Sequence, residues 1–255
     1  GVFQLEGAGM RSFLTGMKPA CFEDIIAAIS LYRPGPMESI PRYIEGKQNP
    51  ASVHYETEKL RPILDVTYGC MVYQEQVMQI VRDLAGYSYG RSDLVRRAMA
   101  KKKHKVMQQE REYFVHGRLN EDGSIDVPGC VRNGVPEAVA EQIYDEMTSF
   151  ASYAFNKSHA AAYGVVTMQT AWLKRHHPVP FMAAIINSVY GNSGKIASYI
   201  QYCRGKGIAI LPPDVNRSSW KFTVQRMADG SLGILFGLGA VKAVGMGAVN
   251  AITAE

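Results

Sequence analysis

Apolar positions along the first two-thirds of the chain recur at the three-to-four-residue spacing of helices. From Cys70 to Leu84, Val77, Ile80, Val81 and Leu84 fall on one stripe and Gly86 closes the segment. Ser92 is a fitting N-cap for a short helix whose apolar face is Leu94, Val95, Ala98 and Met99, which puts Arg96 and Arg97 on the opposite face. Continuing that helix would carry Lys102 into the apolar stripe, so a break is expected near residues 100–102. Further helices are expected over 104–119, 136–150, 158–176 and 181–190, with one more marked by Ile196, Ile200 and Cys203. The run from Asn120 to Ser124 reads as a turn, and Arg33-Pro34-Gly35-Pro36 excludes regular structure.

The pattern changes near residue 207. Ile208 to Leu211, bounded by Pro212 and Pro213, reads as a short strand, and 221–226 pairs with 232–238 across Asp229-Gly230 as a hairpin. The expected architecture is mainly α, a multi-helix domain over 1–206 with a small C-terminal β-hairpin element and a helical end over 207–255. There is no internal repeat.

A chain of 255 residues with 47% hydrophobic content is long enough to bury a sizeable core. No apolar run reaches bilayer-spanning length, so a cytoplasmic protein without a membrane partner is expected. The four cysteines lie dozens of residues apart and read as reduced and structural, not as a zinc or redox pair. The chain begins with Gly1 and ends in helix-forming residues without a stop signal, so both ends read as cuts from something larger.

Charge changes the picture most. The net charge is +5, yet residues 91–105 alone carry seven basic residues against Asp93, a local +6, leaving the remainder at −1. Such concentration is the footprint of a phosphate-bearing partner, although a solvated helix face has the same composition. No D-x-D pair for two-metal chemistry occurs, nor a phosphate-binding G-x-x-x-x-G-K loop, a G-x-S-x-G elbow or an H-E-x-x-H pair. Glu56 with Glu58 and Glu110 with Glu112 read as solvated faces. His176 and His177 fit a helix end.

A second segment, 152–159, runs straight into a helix, so Asn156 or Ser158 can cap it while Lys157 and free amides face an anion. His159 and Tyr163 share a face one turn on, where an aromatic could meet a sugar or base; a plain cap and a core tyrosine are the alternative. Arginine forks at 96 and 97 suit a triphosphate. The glycine pair Gly245 and Gly247 has the form of a helix-hairpin-helix, present once.

Several stretches, in order and over nearly the whole chain, resemble one family. They are Val2-Phe-Gln-Leu-Glu6, Leu31-Tyr-Arg-Pro-Gly-Pro36, Tyr73-Gln-Glu-Gln-Val-Met78, Asp93 through Arg96-Arg97-Ala98-Met99 to Lys101-Lys-Lys103, Phe155-Asn-Lys-Ser-His159-Ala-Ala-Ala-Tyr163, Thr170-Ala-Trp-Leu-Lys174 and Leu211-Pro-Pro-Asp-Val-Asn216. The chain is similar to the fingers region of C-family bacterial replicative DNA polymerase alpha subunits. The resemblance implies a piece that binds the incoming deoxynucleoside triphosphate and helps position template-primer DNA. It further implies that the catalytic aspartates and their Mg2+ belong to a palm domain outside this chain, which itself binds no cofactor and has no polymerase activity alone. Other replicase holoenzyme subunits are implied partners. A nucleotide-binding role carries over to Arg96, Arg97, Lys101 and Lys103, and to Asn156, Lys157, Ser158 and His159, while no catalytic residue is expected here. Ala100 departs from the family pattern, which has glycine there. Read from the residues alone, a stand-alone helical module binding nucleic-acid backbone stays open.

Overall fold

A computed structural model describes residues 1–101, 103–151 and 153–253, the side chain of Ala151 excepted. Lys102 of the basic run, Ser152 of the second segment, and Ala254 and Glu255 at the end of the expected C-terminal helix lie outside the described residues. The chain divides into two compact units, residues 7–165 and residues 1–6 with 166–255. The dividing point falls inside a helix, and the change of pattern at 207 marks the entry into a sheet.

The larger unit opens with α1 (Ala8–Met17), α2 (Phe22–Leu31), α3 (Ile40–Gln48) and the single turn α4 (Arg61–Leu64). The central layer is α5 (Gln74–Ala85), α6 (Tyr89–Ala100), α7 (His104–His116) and α8 (Glu137–Ala151), and α9 (Lys157–His176) begins after it. The stripe read from the sequence forms the core: Val77, Ile80, Val81 and Leu84 are fully buried, with Phe114, Ile143 and Met147 packed in the same cluster. Gly86 at φ 77° ends α5, a left-handed conformation that glycine takes without a Cβ clash.

Several boundaries differ from expectation. Residues 70–73 are not helical, and Tyr73 instead pairs with Phe155 in a single parallel bridge. Helix α6 starts one turn early, with the Ser88 hydroxyl accepting from the Arg91 amide at 3.3 Å. Ser92 is therefore not a cap; it is buried and donates to the Tyr89 carbonyl at 2.7 Å. Leu94 is 65% exposed, because the inner face is Ser92, Val95, Ala98 and Met99. The expected break after residue 100 is present. Arg118 and Leu119 leave α7 to pair, as strand β1 (Arg118–Leu119), with β2 (Ile125–Val127) across the expected turn.

One carboxylate organises the N-terminal helices. Asp24, 1% exposed, accepts from the Ala20 amide at 2.7 Å, the Cys21 amide at 3.1 Å and the Lys47 ammonium at 2.8 Å. Burial alone would raise its pKa, but Lys47 and the two amides outweigh it and hold the carboxyl below its ordinary value. A lowered folded pKa makes this contribution full above about pH 4, the unfolded value, and lost as pH falls through the folded one. Asp24→Asn is expected to lower the urea midpoint at pH 7, with the gap to the parent closing in acid. A gap unchanged down to pH 2 would contradict this assignment.

In the smaller unit, α10 (Pro178–Ser188) and α11 (Ser193–Gly205) pack with a three-stranded sheet ordered β3 (Ala209–Leu211), β5 (Leu232–Leu235), β4 (Thr223–Arg226). Pro178 begins α10 as its first residue, three residues before the start read from the sequence. The expected hairpin is β4–β5, and β3 joins it in parallel to β5. Asn187 fastens α10 to the sheet by donating to the Phe222 carbonyl at 2.8 Å and accepting from its amide at 3.0 Å. A final helix, α12 (Met246–Thr253), starts between the two glycines of the hairpin-like segment.

Three cysteines, Cys70, Cys130 and Cys203, are buried and unbridged, whereas Cys21 is exposed. Among the described residues no helix is long and apolar enough to cross a membrane.

Candidate functional site

All eight candidate residues lie in the larger unit. The basic run is less uniformly positive than its sequence. Arg91 turns inward to Glu110 at 3.1 Å and Asp126 at 2.8 Å, between the rings of Tyr87 and Tyr113. Glu110 is thus a half-buried ion-pair partner and not part of a solvated face; it also accepts from the Tyr87 hydroxyl at 2.9 Å. Asp93 takes both neighbouring arginines, Arg96 through Nε at 3.0 Å and Nη2 at 2.6 Å, and Arg97 at 2.7 Å. The Arg96 hydrogen bond, with the charges of both guanidinia, holds the Asp93 carboxyl below its ordinary value.

The two arginines differ in access. The Arg96 side chain is 20% exposed and also donates to Gln74 Oε1 at 3.1 Å, so three of its five N–H donors are engaged. That of Arg97 is 62% exposed. Beyond them, among the described residues, no carboxylate lies within ion-pair distance of Lys101, Lys103 or Lys105. These lysines surround the start of α7, which has no side-chain cap and no acidic residue in its first turn. Uncapped amides beside ammonium groups without an ion-pair partner give this corner the features that favour an anion. Ala100 ends α6 outside the left-handed region, so its conformation does not call for glycine.

The start of α9 is arranged otherwise. Asn156 is the cap: its Oδ1 accepts from the His159 amide at 2.8 Å. The amide of Lys157, expected to face an anion, already donates to the Glu75 carboxylate at 3.0 and 3.1 Å, and Asn156 Nδ2 donates to the same group at 2.9 Å. The Lys157 ammonium reaches Glu23 at 3.0 Å. An internal carboxylate therefore occupies the helix start. What faces outward is the exposed Ser158 and a shared aromatic face, with the His159 ring 4.3 Å from that of Tyr163 and 5.4 Å from that of Phe155. Arg33 stacks on Phe155 at 4.3 Å, extending the row.

The two candidate segments meet through the first turn of α5. Gln74 accepts from Arg96 and donates from Nε2 to the Ala154 carbonyl at 3.0 Å and from its amide to the Phe155 carbonyl at 2.9 Å. Its neighbour Glu75 holds Asn156 and Lys157. The family resemblance includes this stretch without giving it a place in the site; its only local signal is the run of three polar residues, Gln74, Glu75 and Gln76, that opens an amphipathic helix. Among the described residues no group of three or more His, Cys, Asp or Glu could hold a metal ion.

Two family models match the chain. The bacterial DNA polymerase III alpha subunit finger domain matches residues 1–122, which include the α6–α7 corner, and a helix-hairpin-helix motif matches residues 207–255. The second covers the Gly245–Gly247 segment, where α12 is preceded by a short 3-10 turn (Leu238–Ala240). Among curated proteins, the chain is 48% identical over 252 residues, 99% of its length, to the DNA polymerase III subunit alpha of Bacillus subtilis, covering 21% of that protein. It is 50% identical, over its full length, to that of Thermus aquaticus, covering 20%, and 44% identical over 99% of its length to that of Pseudomonas aeruginosa, covering 21%. The chain thus spans about a fifth of the length of the curated relatives it matches.

Proposed function

The chain belongs to the bacterial DNA polymerase III alpha subunit family, and from that membership we propose that it serves a replicative DNA polymerase as the part that binds the triphosphate of the incoming deoxynucleotide. The α6–α7 corner takes the phosphates: Arg97, Lys101 and Lys103 supply unpaired or exposed cations, and the first amides of α7 point into the same place. The face of His159 and Tyr163 meets the sugar or base, with Ser158 beside it. Arg96, Asn156 and Lys157 contribute mainly by holding these groups, since Arg96 is engaged by Asp93 and Gln74 and the other two are bound to Glu75.

In the proposed reaction a primer 3'-hydroxyl attacks the α-phosphorus and pyrophosphate leaves. The part of this chain is to bind, orient and neutralise. The Mg2+ of that chemistry would be held by aspartates of a palm domain in the same polypeptide, and template-primer DNA, that palm domain and other replicase subunits are the neighbours this reading gives the chain.

The observation that carries this reading is the contrast between the helix starts, with α9 filled by Glu75 and α7 uncapped among unpaired lysines. It is tested by titrating the chain with a deoxynucleoside triphosphate at low salt. Binding by the parent, weakened by rising salt and lost in Arg97→Ala/Lys101→Ala/Lys103→Ala, is expected. Salt-sensitive duplex binding that is indifferent to triphosphate, in this chain and in one carried within a full-length alpha subunit, would favour a nucleic-acid-backbone module instead.

A further inference from the structure

Residues more than eighty positions apart in sequence, Glu75 on one side and Asn156 and Lys157 on the other, are joined by three hydrogen bonds to one carboxylate. One residue earlier, Gln74 reaches both ways, to Arg96 of α6 and to the 154–155 strand-like segment. We infer that Gln74 and Glu75 are positioning residues for nucleotide binding, a clamp that fixes the basic corner relative to the His159–Tyr163 face. The inference rests on the proposed triphosphate reading and adds to it a pair of residues that touch no phosphate.

The physical case has three parts. First, the clamp is itself rigid, since the first turn of α5 holds buried Gln76, whose Oε1 accepts from the Val72 and Tyr73 amides at 2.8 and 2.9 Å. Second, the groups it grips belong to the candidate site: the Arg96 guanidinium, the Asn156 cap and the Lys157 amide. Third, the Glu75 carboxylate sits at the positive end of the twenty-residue helix α9, where the dipole favours a negative charge. A triphosphate has no vacant amide to take from Lys157, so this carboxylate stays in place when nucleotide binds and acts through geometry.

The test uses steady-state nucleotide incorporation by a full-length alpha subunit carrying this segment. Glu75→Ala is expected to raise KM for the deoxynucleoside triphosphate about tenfold, with kcat changed much less, because the binding groups remain but are no longer held in register. Glu75→Gln keeps an oxygen to accept from the Lys157 amide and is expected to recover KM to within about threefold of the parent. Gln74→Ala is expected to raise KM as well. Circular dichroism and the thermal midpoint confirm that each variant is folded at the assay temperature. A KM unchanged in folded Glu75→Ala, with only the thermal midpoint lowered, would overturn the inference by reducing the clamp to a structural one. A KM lowered in both Glu75 variants would overturn it too, since the carboxylate would then be repelling the nucleotide. The underlying reading fails separately, if Arg97→Ala/Lys101→Ala/Lys103→Ala leaves KM untouched.

Discussion

A full-length alpha subunit with Arg97, Lys101 and Lys103 of this segment replaced together by alanine is expected to lose about three orders of magnitude in kcat/KM for deoxynucleoside triphosphate. Hydrogen bonds to charged groups contribute about 1.5–3 kcal/mol each. Three of them, discounted for the exposure of Arg97 and of the lysines, come to about 4 kcal/mol, which is close to a thousandfold. The single Arg97→Ala change is expected to show a smaller share of the same effect, and Lys101→Arg or Lys103→Arg to keep most of the activity. Arg96→Ala tests a different point: its guanidinium is engaged by Asp93 and Gln74, so its loss is expected to lower stability as well as binding. Affinity for primer-template measured without nucleotide separates the two roles, because a corner dedicated to the triphosphate leaves it nearly unchanged.

The second large effect concerns folding. Gln76→Ala is expected to destabilise the larger unit by about 3–5 kcal/mol, a large part of the total stability of an ordinary domain. The side chain is 4% exposed and satisfies four partners: its Oε1 accepts from the Val72 and Tyr73 amides, and its Nε2 donates to the Ile63 carbonyl at 3.2 Å and to Thr67 Oγ1 at 2.7 Å. Removing it strands two amides of fully buried residues and opens a cavity beside them. Urea denaturation measures the loss, and the exposed Gln201→Ala serves as a control within about 0.5 kcal/mol of the parent. A Gln76→Ala midpoint like that of the control would mean that water replaces the lost partners.

These cases show where the sequence was readable. The α5 stripe was legible because a 3.6-residue apolar period is a local signal, and Val77, Ile80, Val81 and Leu84 bury as it demands. The β4–β5 hairpin was legible for the same reason, from its turn residues. At one edge of α6 residue type misleads, because apolar Leu94 faces solvent while charged Arg91 finds Glu110, Asp126 and two tyrosine rings across the unit. Pairing of β3 with β5 joins strands with β4 and its flanking turns between them in sequence, which no local pattern encodes. The candidate site follows the same division. Its cations stood out as a run of charge, and the Asn156 cap by its position. Their compensation by Asp93, Glu23 and Glu75 did not, because two of those partners come from elsewhere in the chain.

The α6–α7 corner as the seat of the triphosphate is tested most directly by chemical labelling. A deoxynucleoside triphosphate bearing a lysine-reactive group on its γ-phosphate is bound to the full-length polymerase with primer-template, and the modified peptides are identified by mass spectrometry. Labelling of Lys101 and Lys103, suppressed by unmodified deoxynucleoside triphosphate, is the expected result. Labelling confined to Lys157 or to lysines outside residues 97–105, with the same competition, would contradict it.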